Sequence, residues 1–189
     1  MENLNVQNAS LVILAFLKAD CWDSDYRREL ISLGSHLNLT KDINSNGPWI
    51  ESSEDEGLEC DGHLQSNIRD SLQDLEPLVE LQWPRDHVEA AAVRRIAEDL
   101  REVAAQLEHH IVARAIRNLS SNIQASHSEQ WKLHLAREVE RVMRQGVGLE
   151  HLPQERVAVA LTLTLVKGVC VSAPRLLRGL FNAALQYLR

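Results

Sequence analysis

The segment Val157-Ala158-Val159-Ala160-Leu161-Thr162-Leu163-Thr164-Leu165-Val166 continues past Lys167 to Val171, with Pro153 before it and Ser172-Ala173-Pro174 after it. At about 15 residues the run falls short of the roughly 20 that a helix needs to cross a bilayer. A helix apolar on all sides persists in water only if other elements enclose it. The fold must therefore be built around this segment. An amphipathic stretch, Arg175 to Leu188, follows it and carries basic residues. The two together predict a central hairpin wrapped by amphipathic helices. Leucine, valine and alanine dominate, aromatics make up only 4%, and Gly and Pro are sparse, so the expected class is all-α. The 189 residues suit a single domain, 1–189, with a sizeable core.

The wrapping helices can be read along the chain. Ser10 or Asn8 is a candidate cap for a first helix through Leu11–Leu17. A second fits Asp25 to Leu37, with Tyr26, Leu30, Leu33 and Leu37 on its apolar face. Periodicity resumes after Trp83-Pro84 and runs to about Glu108, followed by helices near Ile111–Ile123 and Ser128–Gln145, the last ended by Gly146 and Gly148. Between the second and third patterns, residues 38–75 lose all periodicity and are rich in Asn, Ser, Gly and acids, which predicts a long flexible loop. Loops beyond about 12–15 residues are uncommon unless functional or disordered.

The net charge of −7 argues against nucleic acid as a main partner. Its distribution is more telling. Residues 1–61 hold 12 acids against 4 bases, whereas 62–189 hold 15 against 16, and from Arg156 onward there are five bases and no acid. A cut near residue 61 would turn an acidic protein into a slightly basic piece, although an acidic linker can serve solubility alone. Cys21, Cys60 and Cys170 are odd in number and far apart, as expected of free thiols in a reducing compartment. The N-terminal segment has no signal-peptide pattern, so the expected location is cytoplasmic. The eight histidines, His109-His110 included, show no metal spacing, and no phosphate loop or nucleophile elbow is present; no enzyme activity, metal or cofactor is expected.

Two features point to a regulated interaction. Ile96, Leu100, Val103 and Leu107 recur at i, i+4, i+7 and i+11, with the small Ala104 after the third: one stripe of a helix, fit for a core or for a partner's groove. Within the loop, Leu58-Glu59-Cys60-Asp61 precedes Gly62, the x-E-x-D pattern that initiator caspases cut in extended, accessible chain. Cleavage after Asp61 would leave Gly62-His63-Leu64-Gln65-Ser66, a G-x-x-x-S myristoylation pattern. One acyl chain anchors only marginally, so a second contribution would have to come from the basic hairpin.

With the order Phe16-Leu17, Tyr26-Arg27-Arg28-Glu29-Leu30, Leu33-Gly34, Leu58 through Gly62, Arg95-Ile96-Ala97 and Ala173-Pro174, the chain resembles the BH3-only proteins of the Bcl-2 family over most of its length. The resemblance implies a Bcl-2-like helical bundle that hides its BH3 helix. It implies cleavage in the loop by caspase-8 or granzyme B, giving fragments 1–61 and 62–189. The second would move to the mitochondrial outer membrane and an anionic, cardiolipin-rich surface. There it would engage Bak, Bax or anti-apoptotic Bcl-2 proteins and promote permeabilisation. Asp61 would be the cleavage residue and Gly62 the acyl acceptor. Ile96, Leu100, Val103, Ala104 and Leu107 would form the binding face. Val157, Leu161, Leu165, Lys167, Arg175 and Arg178 would form the membrane-directed hairpin. Leu30–Leu37 resembles a second, degenerate BH3-like segment, for which a core helix is the expected role. The alternatives are a hairpin that perturbs membranes without a Bcl-2-type partner, and a helical interaction module that is never cut.

Two departures stand out. Ala105 occupies the position of the BH3 aspartate, so docking would rest on the apolar anchors; losing one partner of an interfacial charge pair costs about 2–5 kcal/mol. The chain also stops at Arg189, where such proteins continue into a further short helix, which leaves an eighth helix open.

Overall fold

The computed structural model describes residues 6–21, 23–37, 87–146, 149 and 151–189. Among them are seven α-helices: α1 Val6–Lys18, α2 Ser24–His36, α3 His87–Ala105, α4 His109–Gln124, α5 Trp131–Gln145, α6 Gln154–Ser172 and α7 Leu177–Tyr187. Short 3-10 turns, Ser128–Gln130 and Pro174–Leu176, lead into α5 and α7. The described residues contain no strand, and the bundle is the all-α, Bcl-2-like arrangement.

The apolar run forms α6, and its surroundings explain its composition. Val157, Leu161, Leu163, Leu165, Val166 and Val169 have no exposed surface. Five helices, α1, α3, α4, α5 and α7, pack on it. Thr162 and Thr164 fit this apolar setting because each hydroxyl donates to a carbonyl one turn back, Ala158 and Ala160, at 2.7 Å. Pro153 precedes the helix rather than lying in it, and its carbonyl accepts from Arg156 at 2.9 Å. The partners pack closely where the sequence supplies glycine. A Cβ on Gly179 would lie 2.3 Å from the Trp131 ring, and one on Gly168 2.3 Å from Ile116 Cδ1.

Several helix ends differ from expectation. Helix α1 begins at Val6, so Asn8 and Ser10 lie inside it instead of capping it. Asp23 caps α2 by accepting from the Tyr26 amide at 2.8 Å. Gly146 ends α5 with φ +79°, a conformation that favours glycine; Gly148 lies outside the described residues. Helix α3 stops at Ala105, short of the expected Glu108, because Gln106 and Leu107 bond back to the carbonyls of Val103 and Ala104, the tighter i to i+3 pattern of a closing turn. The expected loop and the Trp83-Pro84 helix entry lie outside the described residues.

Candidate functional site: a helix covered by its own bundle

Helix α3 carries the candidate binding face and lies between α1 and α6. Charged residues and alanines fill the rest of its surface and leave one apolar stripe. Val93, Ala97, Leu100, Val103 and Leu107 are each 6% exposed or less, so none of them is available to another protein in this state. Ile96 and Ala104 are half-buried at the flank of this stripe and pack against the core. The face turned inward is therefore centred on Val93, Ala97 and Leu100, rotated slightly from the Ile96 register. Leu107 reaches the core from the turn after the helix, not from the helix itself.

Ile96 has space beside it. With Leu100, Val12, Ile13, Val159 and Leu163 it borders an apolar cavity of about 270 Å³ where α1, α3 and α6 meet. Full burial of Leu100, Val103 and Leu107 is worth about 1.5–3 kcal/mol each. That gain can be replaced only by a surface that covers the same atoms. At the flank of α3, Arg101 pairs with Glu98 at 2.9 Å, and on its exposed side Gln106 donates to the Glu102 carbonyl. Exposed pairs of this kind contribute little.

The cover of α3 is α1, which buries Leu11, Val12, Ile13, Leu14, Phe16 and Leu17. Two groups close the carbonyl end of that helix, which would otherwise lack partners. The Tyr26 hydroxyl donates to the Leu17 carbonyl at 3.0 Å, and burial pushes the Tyr26 pKa far up. The Lys167 ammonium of α6 donates to the Ala19 carbonyl at 2.5 Å and lies 3.8 Å from Asp20 Oδ2. Burial lowers the Lys167 pKa, the Asp20 charge opposes that shift, and the nearby Arg101 charge adds to it. Asp20 itself has φ +54°, the left-handed backbone of a chain reversal after α1.

The expected hairpin residues separate into three groups. Val157, Leu161 and Leu165 are wholly buried. Lys167 holds α1. Arg175 and Arg178 are exposed near the α6–α7 junction, and Arg178 donates to His36 Nε2 of α2 at 2.6 Å. Since a guanidinium has only donors, His36 must accept with its unprotonated nitrogen. Asp61 and Gly62 lie outside the described residues.

The grip of Lys167 and Arg178 on the N-terminal helices was not anticipated from the sequence. A signal existed for one of them: Lys167 is the single charge within an apolar run, and such a charge needs a partner when enclosed. Leu30–Leu37 is a core segment as expected, with Leu30 and Leu33 buried. No helix among the described residues is long and apolar enough to cross a membrane, and no group of three or more His, Cys, Asp or Glu is placed to hold a metal.

The bundle of the described residues, all-helical with an amphipathic stripe turned inward, is consistent with the Bcl-2-like class. The model of the BH3 interacting domain (BID) family matches residues 2–189, and the chain belongs to that family of BH3-bearing apoptosis regulators. No curated protein and no solved structure matches the chain.

Proposed function

We propose that this protein is a protease-activated pro-apoptotic switch, and the observation that carries the reading is the burial of Leu100, Val103 and Leu107 inside the bundle of a BID-family chain. Cleavage after Asp61, by caspase-8 or granzyme B, severs α1 and α2 from the rest. The cut does not itself remove the cover. It turns an intrachain contact into one between two molecules, which dilution and competing surfaces can then separate. The 62–189 piece presents Ile96, Leu100, Val103, Ala104 and Leu107 to the groove of Bak, Bax or an anti-apoptotic relative. The intact protein resides in the cytoplasm and the fragment acts at the mitochondrial outer membrane. Gly62 acylation and the basic residues Lys167, Arg175 and Arg178 add affinity for an anionic, cardiolipin-rich surface. No cofactor takes part.

The test is dye release from cardiolipin-containing liposomes loaded with Bak or Bax. Cleaved protein is expected to release dye, and intact protein and Asp61→Ala treated with protease are not. No gain on cleavage, or no loss in Asp61→Ala, overturns the trigger. Release from liposomes lacking Bak and Bax, unaffected by Leu100→Glu, would favour a hairpin that acts on bilayers alone. The acid-free segment from Arg156 onward motivates that second reading.

A further inference from the structure

At the end of α3 the small side chains of Ala104 and Ala105 form the floor of an open cavity of about 260 Å³. Phe16 and Asp20 come from the α1 side, Arg101 from α3, and Thr164 and Lys167 from α6. Two cations thus face one space, drawn there from helices that are 66 residues apart in sequence at Arg101 and Lys167. They act on each other, since the Arg101 charge disfavours the charged form of Lys167. Neither is saturated. Lys167 has three N–H donors, one of which goes to Ala19, while Asp20 at 3.8 Å is beyond hydrogen-bonding length and its side chain is 76% exposed. Arg101 has five donors and bonds to Glu98 through one nitrogen. The Thr164 hydroxyl donates to Ala160 and offers no proton.

We infer that this space is a binding site for a phosphate-type oxyanion, bridged between Arg101 and Lys167 above Ala105. A tetrahedral oxyanion matches a guanidinium fork on one side and an ammonium on the other. Alanine at 105 is what leaves the room: a carboxylate on that residue would reach into the same space. Asp20 is the acid an incoming anion displaces from Lys167. Bound there, the anion ties α3 to α6 and favours the closed bundle, because it binds only when both cations are in place. The site belongs to the intact chain and stands apart from whether α3 docks on a partner.

The experiment uses the full-length, uncut protein. Inorganic phosphate is titrated at ionic strength held constant with chloride, and the amide resonances of Ala104 and Ala105 are followed. A saturable shift is expected, with binding about tenfold weaker in Arg101→Gln and in Lys167→Met, retained in Lys167→Arg, and lost in Ala105→Asp. Lys132→Gln, an exposed cation on α5, is the control and is expected to behave as wild type. A second arm replaces free phosphate with phosphatidylcholine vesicles containing phosphatidic acid. A Lys167-dependent shift in that arm alone assigns the anion to a lipid headgroup. Shifts that never saturate, an unchanged midpoint in Lys167→Met, or silence in both arms overturns the inference. Far-ultraviolet circular dichroism and thermal unfolding of each variant separate loss of the site from loss of the fold.

Discussion

Lys167 and Ala19 are 148 residues apart in sequence, and the ammonium of one lies 2.5 Å from the carbonyl of the other. The contact joins α6 to the exit of α1, so it crosses any cut made between residues 38 and 86. Its charge is nonetheless unfavourably placed, because burial depresses the Lys167 pKa. A lysine whose folded pKa lies below its unfolded value binds fewer protons in the fold. Stability then rises with pH as the folded pKa is passed and levels off above 10.5. Chemical denaturation of wild type across that window is expected to show the rise, and Lys167→Met to lack it.

Tyr26 is the complementary case. Its hydroxyl satisfies the Leu17 carbonyl in a buried setting, and its pKa is raised by burial. The unfolded chain loses that proton near pH 10 and the folded one does not, so this group contributes stability below about pH 10 that declines above it. Tyr26→Phe leaves the carbonyl without its donor and is expected to cost about 1–3 kcal/mol at neutral pH. Urea unfolding at neutral pH measures the cost, and repeating it at alkaline pH tests whether the decline has gone.

The Trp131 ring lies where a Cβ on Gly179 would have to be. Because the obstacle is a rigid ring in the α5–α7 contact, Gly179→Ala is expected to lose about 1–3 kcal/mol. Trp131 fluorescence should change with it. In a double-mutant cycle, adding Trp131→Ala should make the Gly179→Ala change nearly neutral.

Cys170 is buried on α6, and burial pushes its thiol up to about 12. In the closed protein it stays protonated and enclosed at neutral pH, while Cys21 is only half-buried. Mild alkylation followed by peptide mass spectrometry should label Cys21 well before Cys170. Labelling of Cys170 should accelerate once the cleaved protein opens, giving a readout of core exposure. Equal rates in the closed and opened states would contradict this account of α6.

On the proposed function, Ala105→Asp in the cleaved protein should tighten binding to an anti-apoptotic partner by about 2–5 kcal/mol, read by calorimetry. Unchanged affinity would mean that the groove offers no cation at that position.

The sequence was most legible where composition leaves few choices. An apolar run such as Val157–Val171 has to be covered, and the Tyr26–Leu33 spacing has to face a core, so the bundle and its centre followed directly. The stripe on α3 was legible as a stripe, but periodicity fixes a face only to within a residue. The fold turns Ala97 inward and leaves Ile96 half-buried, and it closes the helix at Ala105 through two local hydrogen bonds that no spacing rule reports. The contacts of Lys167 with Ala19 and of Arg178 with His36 depend on three-dimensional packing. A sequence shows that Lys167 needs an acceptor, but not which of many carbonyls supplies it.

Among the described residues, five of the six other α-helices rest on α6. In mechanical terms it is an axle shared by its neighbours, so swinging any one of the five aside uncovers only part of it. Uncovering α6 and dissolving the core are one event. A protein arranged this way answers to a threshold, remaining silent under small perturbations and yielding only when something outside replaces most of the lost surface together.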